Sequence, residues 1–284
     1  MKIIDAKTNK EIKHTVIGFS GGERHVQLGG ITSIDIKEVI LRANVNNSEQ
    51  LVDVLLIENA LRHKYGNGLK VHLELPYLPY ARQDRVCAPG QAFSLEVFAN
   101  LLKMLRLTTL VTWDCHSHVG IELTGAKNIA PVDIIRADKE LTNLLLDKNT
   151  VLICPDKGAV SRCDDIKDKL SLESIVYCEK KRDPATGKIY KTDVLVDDLT
   201  GKCAVISDDI CDGGYTFIKI AEQLKEKNVD KVVLFVTHGI FSKGLDVFDG
   251  LIDQVITTNS FNQQQHAKLN VINFEYNFTN GAGE

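Results

Sequence analysis

The stretch SDDICDGGYTF, from Ser207 to Phe217, decides the fold of this chain. The apolar run KCAVI precedes it, and an amphipathic segment follows its three aspartates and two glycines. A short apolar run predicts a buried β-strand, and the glycines predict a sharp turn into the following helix. The stretch therefore predicts a strand, a tight turn and a helix, with acidic residues concentrated at the tip of the strand.

The residue types at this tip indicate a ligand with hydroxyl groups and a phosphate. Asp208 and Asp209 can accept hydrogen bonds from vicinal hydroxyls, while Gly213, Gly214 and Thr216 lead into a helix. Unpaired amides and the helix dipole at a helix start favour a phosphate. The combination suggests a sugar phosphate. The alternative is a glycine-rich turn in which an aspartate caps the helix, and the pattern alone does not choose between the two.

Apolar runs and amphipathic segments alternate from about residue 69 onward. Six runs are expected to be strands: VHLEL, LTTLVTW, TVLIC, SIVYC, CAVIS and KVVLFVT. Two sets of apolar residues have the helical spacing i, i+3, i+4, i+7: Phe98, Leu101, Leu102 and Leu105, and Phe217, Ile220, Ala221 and Leu224. This alternation predicts an α/β protein with two tandem, doubly wound, mostly parallel sheets. The two series separate near LLLDKNT, which predicts domains at residues 1–146 and 147–284.

Polar residues follow the predicted strands of both domains. VHLEL is followed by PYLPYARQDR, LTTLVTW by DCHSH, and TVLIC by PDKGA. Ligands of open α/β sheets bind outside the carboxyl ends of the strands. These segments are therefore the candidate binding residues.

Composition excludes some classes of function. The net charge of −4 and pI near 6.1 argue against nucleic acid or an anionic membrane as the main partner. The chain starts without the apolar core of a signal peptide, and no apolar run approaches the roughly 18 residues of a membrane helix. Seven cysteines without a CxxC pair are typical of reduced thiols, so we expect a cytoplasmic protein.

The segment KKRDPATGKIYKTDVLVDDLTGK, residues 180–202, is unusually rich in charge. Its proline and two glycines predict a mobile hairpin or flap beside the second sheet. Read in isolation, its basic residues are typical of a solvated surface.

Two sets of motifs resemble known families. DDICDGGYT resembles the phosphoribosyl-binding loop of the type I phosphoribosyltransferase fold, although Gly213 replaces a common Thr and Tyr215 a common small residue. In the first half, YARQDR (80–85), FSGGE (19–23) and WDCHSH (113–118) are similar to the ribose-phosphate diphosphokinase, or PRPP synthetase, family. CPDKGA, KKR and VTHGIFS follow in that family's order, so the resemblance covers residues 15 to 260 or so.

The resemblance implies a reaction and a cofactor. The family transfers the diphosphoryl group of MgATP to the anomeric hydroxyl of ribose 5-phosphate, which gives PRPP and AMP. It implies the phosphoribosyltransferase-type fold and Mg2+. It also implies a homo-oligomer of at least two subunits, because the family's F-S-D/N-x-E segment, in which Gly21 here replaces Asp or Asn, reaches into a neighbouring subunit's site.

The resemblance also implies roles for individual residues. The catalytic residues would be Lys180 and Arg182, with Lys181 as a substitute if the register differs by one. The ATP-binding residues would be Phe19, Glu23, Arg82, Gln83 and His116, and the metal residues His116 and Asp156. The ribose 5-phosphate residues would be Asp156, Asp208, Asp209, Asp212, Gly213, Gly214, Tyr215 and Thr216. Without the family resemblance, Phe19 and Glu23 would be read as ordinary strand and turn residues, and a lone histidine such as His116 is usually structural.

Some alternatives stay open. The general base for the ribose hydroxyl is Asp208, Asp209 or a metal-bound water. The segment VCAPGQAF, residues 86–93, lacks the basic residues that hold regulatory anions in the family, so we expect weak phosphate activation and weak ADP inhibition. A catalytically silent regulatory subunit and a phosphoribosyltransferase that consumes PRPP are the competing functions; the second leaves RQDR unexplained.

Overall fold

The computed structural model of the chain describes residues 1–30, 36–182 and 189–278, without the side chains of 180–182 and 189–192. The chain forms two compact units, one of residues 1–129 together with the segment from Tyr276, the other of Ala130–Glu275. The second unit therefore includes residues 130–146, which the division expected from the sequence assigned to the first domain. That division, at residues 146 and 147, stays a prediction about functional domains.

The first unit contains a five-stranded sheet and a hairpin. Its strands are β1 (Lys2–Asp5), β2 (His14–Gly18), β3 (Arg24–Leu28), β4 (Glu38–Arg42), β5 (Lys70–Glu74), β6 (Thr109–Trp113) and β7 (Lys127–Ile129). Its helices are α1 (Ser48–Tyr65), α2 (Ser94–Leu102) and α3 (His118–Thr124). The sheet order is β1-β4-β5-β6-β7, parallel except for β1, and β2 pairs with β3.

The hairpin of the first unit is fixed to helix α1. Arg24, the first residue of β3, donates from Nε and Nη2 to the two carboxylate oxygens of Asp53, at 2.8 and 2.6 Å. Asp53 is buried. This two-point pairing fixes both position and orientation of the guanidinium. The start of α1 is itself capped by Asn47, which accepts the amide of Gln50 at 2.9 Å.

The second unit contains a seven-stranded sheet. Its strands are β8 (Thr150–Cys154), β9 (Ile175–Arg182), β10 (Ile189–Val194), β11 (Cys203–Cys211), β12 (Lys231–Gly239), β13 (Gln254–Thr258) and β14 (Leu269–Ile272). Its α-helices are α4 (Pro131–Ala137), α5 (Lys139–Leu146), α6 (Val160–Leu170) and α7 (Tyr215–Glu226). The order is β10-β9-β8-β11-β12-β13-β14, parallel except between β9 and β10.

The core of the second unit lies on both faces of its sheet. Alternate residues of a strand point to opposite faces, and here they belong to two separate apolar clusters. Ala204 and Ile206 of β11 pack with α7, whereas Val205 packs with α6. Helices therefore cover the two faces, which explains why the central strands are apolar throughout.

The predicted fold class is confirmed: both sheets are mostly parallel, and helices connect their strands. Each of the six predicted strands is present. The antiparallel pairing of β9 and β10 agrees with the predicted hairpin. Within the described ranges, no helix combines the length and apolar character needed to cross a membrane.

Candidate active site

The acidic pair of the second unit, Asp208 and Asp209, lies on strand β11, which extends beyond its pairing with the neighbouring strand β8. Pairing of β11 with β8 ends at Ile206, opposite Ile153, while pairing with β12 continues to Cys211, opposite Gly239. Asp208 and Asp209 therefore lie within β11, not after it as the sequence suggested. On the β8 side, the strand ladder stops before these acids are reached.

Asp208 and Asp209 form a closely spaced carboxylate pair. Asp208 accepts the amide of Asp209 at 3.0 Å, and Asp209 accepts the amide of Ile210 at 2.8 Å. Burial raises the pKa of Asp208 well above its ordinary value, the negative charge of Asp209 raises it further, and the positive charge of Arg162 opposes both. Such a pair favours a bound cation or hydroxyl donors, since either reduces the repulsion between the two carboxylates.

The side-chain carboxylate of Asp156 is held in place by the turn that follows β8. Its Oδ1 accepts the amides of Gly158 and Ala159, at 2.9 and 3.2 Å. These bonds fix the carboxylate at the carboxyl end of β8, the strand next to β11. Asp156 is partly exposed, and its charge is one of those that raise the pKa of Asp208. The structure thus brings the PDKGA segment and the acidic pair together, in the same unit.

Arg162 was missed by the sequence reasoning. It lies in the first turn of α6 and donates from Nη1 to the hydroxyl of Ser207 at 2.9 Å. Its guanidinium also lies 5.9 Å from the ring centroid of Phe235. The signal in the sequence was a lone cation shortly after PDKGA, within a group of aspartates. Arg162 is the cation that opposes the accumulation of negative charge around Asp208.

The glycine-rich turn connects β11 to helix α7. Gly214 immediately precedes the helix with φ of +79°, a backbone conformation that residues with a side chain rarely adopt. A Cβ on Gly214 would lie 2.7 Å from the Phe248 ring, whereas a Cβ on Gly213 would meet only Lys243, at 3.7 Å. Asp212 and Thr216 flank the glycines and are partly buried. The turn thus presents backbone, not side chains, at the start of α7.

Tyr215 does not fill the turn. The side chain is 62% exposed, and the ammonium of Lys219 lies 5.8 Å from its ring centroid. Most of the Tyr215 side chain is therefore exposed to solvent.

In the first unit, Arg82 and Gln83 lie in the loop after β5. Both are exposed. The amide of Gln83 donates to the carbonyl of Tyr80 at 2.8 Å, and Tyr80 has φ of +63°. A residue with a side chain in this region is strained unless its surroundings enforce it; here the Tyr80 ring packs against Phe98, with centroids 5.5 Å apart. The loop therefore has a defined shape.

His116 lies in the loop after β6, the strand next to β5. The amide of Cys115 donates to the side chain of Asn128 at 3.0 Å, and Asp114 has φ of +39°. His116 is exposed, and His118 lies 3.3 Å from Glu122 one helical turn away.

A hydrogen bond joins these two loops. The hydroxyl of Ser117 donates to the carboxylate of Asp84 at 2.7 Å. Asp84 also accepts from Arg85 at 2.8 and 3.2 Å, and these bonds, first those from Arg85, hold the pKa of Asp84 below its ordinary value. The structure therefore brings the RQDR and DCHSH segments together, with Asp84 ionised between them. The sequence reasoning did not assign this role to Asp84.

Phe19 and Glu23 lie at the tip of the β2–β3 hairpin. The amide of Phe19 donates to the carbonyl of Glu23 at 2.9 Å, and the Phe19 side chain is 54% exposed. Among the described residues, neither side chain hydrogen-bonds to the loops that carry Arg82 and His116.

The side chains of Lys180 and Arg182 lie outside the described part of the structure, as does that of Lys181. Their backbone forms the end of β9, where Lys180 pairs with Thr192 of β10 and Arg182 with Ile189. In the residues that the structure describes, no three His, Cys, Asp or Glu side chains are grouped closely enough to hold a metal ion by themselves.

The fold and the phosphoribosyl-type turn define a two-unit α/β protein of the phosphoribosyltransferase type. Residues 1–105 match a family profile described as the N-terminal domain of ribose phosphate pyrophosphokinase, and residues 185–274 match a phosphoribosyl synthetase-associated domain. A solved phosphoribosylpyrophosphate synthetase from Mycobacterium smegmatis has a similar fold, with a TM-score of 0.75 and 22% identity over 92% of this chain and 85% of that one.

Two curated relatives are more similar in sequence. The ribose-phosphate pyrophosphokinase of Pyrococcus furiosus is 34% identical over 89% of this chain and 86% of its own length. That of Mycoplasmopsis pulmonis is 32% identical over 88% of this chain and 77% of its own length. The chain belongs to the ribose-phosphate pyrophosphokinase family, and it is an enzyme of that family.

Proposed function

We propose that this enzyme transfers the β,γ-diphosphoryl group of ATP to the anomeric hydroxyl of ribose 5-phosphate and releases AMP. Family membership supports the reaction. The observation that carries it is the group of Asp156, Asp208 and Asp209 at the carboxyl ends of β8 and β11, followed by the glycine turn. In the proposal, the acids bind the ribose hydroxyls, and the turn, from Asp212 to Thr216, binds the 5-phosphate.

In this proposal the first unit binds ATP. Arg82 and Gln83 follow β5, and His116 follows β6. Three polar side chains therefore lie after the carboxyl ends of two adjacent strands. The Asp84–Ser117 bond keeps the two loops in contact. The exposed Phe19 and Glu23 bind the adenine of a neighbouring subunit's ATP. The active form is then a homo-oligomer of at least two subunits, and the enzyme acts in the cytoplasm.

Mg2+ is the metal proposed for this site. It is usually held by one or two carboxylates together with substrate phosphates and waters, and the second unit offers such oxygen donors. Burial and, after it, the negative charge of Asp209 raise the pKa of Asp208, and a divalent cation would relieve the repulsion between the two carboxylates. Asp156 and His116 are the proposed metal residues. When bound, Mg2+ would neutralise charge on the diphosphoryl oxygens.

Lys180 and Arg182 are the proposed catalytic residues. Diphosphoryl transfer leaves little covalent chemistry to the protein, so positioning and neutralisation of charge on the transferred group dominate. Two cations at the end of β9, in the hairpin at the edge of the second sheet, can supply that charge. Asp208 and Asp209 are the candidate bases for the ribose hydroxyl.

The proposed reaction is tested by product analysis. The purified protein is incubated with MgATP and ribose 5-phosphate, and AMP and PRPP are measured by phosphorus NMR with and without inorganic phosphate. We expect equal amounts of AMP and PRPP, with little effect of phosphate because VCAPGQAF carries no basic residue. Binding of ribose 5-phosphate without formation of AMP would contradict the proposed reaction.

A further inference from the structure

The segment after β12 is attached to the phosphoribosyl turn by backbone hydrogen bonds. The amides of Ile240 and Phe241 donate to the carbonyl of Cys211, at 2.9 and 3.1 Å, and the amide of Ser242 donates to that of Asp212 at 3.2 Å. These bonds fix the position of residue 243 relative to the turn. That residue is a lysine.

The side chain of Lys243 lies over Gly213. Its Cγ is 3.7 Å from the point that a Cβ of Gly213 would occupy, an ordinary van der Waals distance. The aliphatic stem of Lys243 thus passes close to Gly213. Within the described ranges, Lys243 makes no hydrogen bond or ion pair, and it is exposed. Its ammonium is available to a ligand of the turn.

The charge of the turn favours such a cation. From Ser207 to Phe217 there are three aspartates and no basic residue, so a phosphate at the turn meets backbone amides but also repulsion from nearby carboxylates. Two other cations close to the turn are engaged: Arg162 is hydrogen-bonded to Ser207, and Lys219 is paired with Glu222 at 2.7 Å. Lys243 has no such partner among the described residues.

We propose that Lys243 is a further substrate-binding residue, whose ammonium binds the 5-phosphate of ribose 5-phosphate and supplies the positive charge that the turn itself lacks. The inference rests on the proposed function, since it takes ribose 5-phosphate as the ligand of the turn. A lysine ammonium binds phosphate as a mobile point charge, so no fixed two-point geometry is required.

The test is the binding of ribose 5-phosphate to the full-length protein, measured by calorimetry, together with the KM for ribose 5-phosphate and for MgATP. Lys243→Ala should weaken binding and raise the KM for ribose 5-phosphate by about tenfold or more, because it removes a bond to a charged group. The KM for MgATP should stay within about twofold, and Lys243→Arg should restore most of the affinity.

The matched control is Lys225→Ala, which removes the same charge from the last turn of α7. Lys225 is ten residues from the helix start, about 15 Å along the axis, and it should leave both KM values unchanged. Equal ribose 5-phosphate affinity in Lys243→Ala and Lys225→Ala, with normal AMP formation, would overturn the role of Lys243 and leave the proposed function standing. A wild-type protein that neither binds ribose 5-phosphate nor forms AMP would overturn both.

Discussion

At the scale of single residues, the two glycines of the phosphoribosyl turn have different structural roles. Gly214 combines φ of +79° with a position 2.7 Å from the Phe248 ring, so Gly214→Ala adds both backbone strain and overlap. We expect it to lower the free energy of unfolding by about 1–3 kcal/mol and to weaken ribose 5-phosphate binding at least tenfold, or about 1.4 kcal/mol. Urea unfolding and calorimetry measure the two effects.

Gly213→Ala is the matched control for this prediction. The added methyl would meet Lys243 at 3.7 Å and requires no change of backbone conformation. Its effect on the free energy of unfolding should stay below about 1 kcal/mol. If the two alanine variants unfold alike, backbone strain and overlap at Gly214 do not constrain the turn.

A second prediction at this scale concerns Lys180. Lys180→Ala should lower kcat by about a thousandfold, because interactions made mainly in the transition state affect kcat rather than affinity. The KM for ribose 5-phosphate should change little. Steady-state kinetics of Lys180→Ala and Lys181→Ala side by side test the register. A large loss in Lys181→Ala alone would move the catalytic role by one residue, and full activity in both would exclude Lys180 and Lys181.

At the scale of elements, a buried ion pair joins three strand ends of the first unit. Glu74 at the end of β5 accepts from Arg42 of β4 at 2.7 Å, from the indole of Trp113 of β6 at 3.2 Å, and from the amide of Tyr276 at 2.7 Å. Arg42 also donates to the carbonyl of Tyr276 at 3.1 Å. The chain returns from the second unit here, so these bonds attach its last described segment to the first sheet.

This ion pair predicts a pH dependence of stability. Burial raises the pKa of Glu74 above its ordinary value, and Arg42, Trp113 and Tyr276 only partly oppose this. The native state therefore takes up a proton at a pH where the unfolded chain does not, so the contribution of Glu74 to the free energy of unfolding rises as pH falls through the folded pKa. It levels off below the unfolded pKa.

Urea unfolding of wild type and Glu74→Gln between about pH 7.5 and 4.5 measures this contribution. The glutamine keeps the shape and an acceptor oxygen but cannot titrate. Wild type should gain stability relative to the variant as pH falls. A difference that is constant across the range, or one that shrinks on acidification, would show that Glu74 is not the group that takes up the proton.

The elements also show how far sequence patterns predict this structure. Long apolar runs such as TVLIC and KVVLFVT predict central strands because both faces of such strands are buried. Short strands at the sheet edges, such as β7 and β14, were missed because each has only three or four residues and is partly exposed. The extension of β11 through Asp208 was also missed, since it depends on the pairing of Ile210 with His238 of β12, far along the chain.

The sequence likewise predicts some residues of the candidate site and misses others. Residues after predicted strands, such as Arg82 and Asp156, were found because the carboxyl ends of parallel strands are where ligands bind. Arg162, Asp84 and Lys243 were missed because their relation to the site is a contact between distant segments. A lone arginine, aspartate or lysine has no periodic pattern that reveals such a contact.

At the scale of the whole molecule, the proposal requires that subunits share active sites. If Phe19 serves a neighbour's ATP site while Lys180 serves its own, neither Phe19→Ala nor Lys180→Ala is active alone. A mixed dimer, however, contains one site that receives Phe19 from one subunit and Lys180 from the other. Random assortment makes half of the dimers mixed, with one of two sites restored, so mixing should recover about a quarter of wild-type activity.

The measurement is AMP formation after the two variants are denatured together, refolded together and compared with each variant refolded alone. Phe19→Ala is suited to this experiment because the side chain is 54% exposed, so its loss should not disturb the hairpin that Arg24 and Asp53 anchor. A mixture of Lys180→Ala with Arg182→Ala is the control, since both defects belong to the same site and no mixed dimer restores it. Equal activity in the two mixtures would place Phe19 in the site of its own subunit.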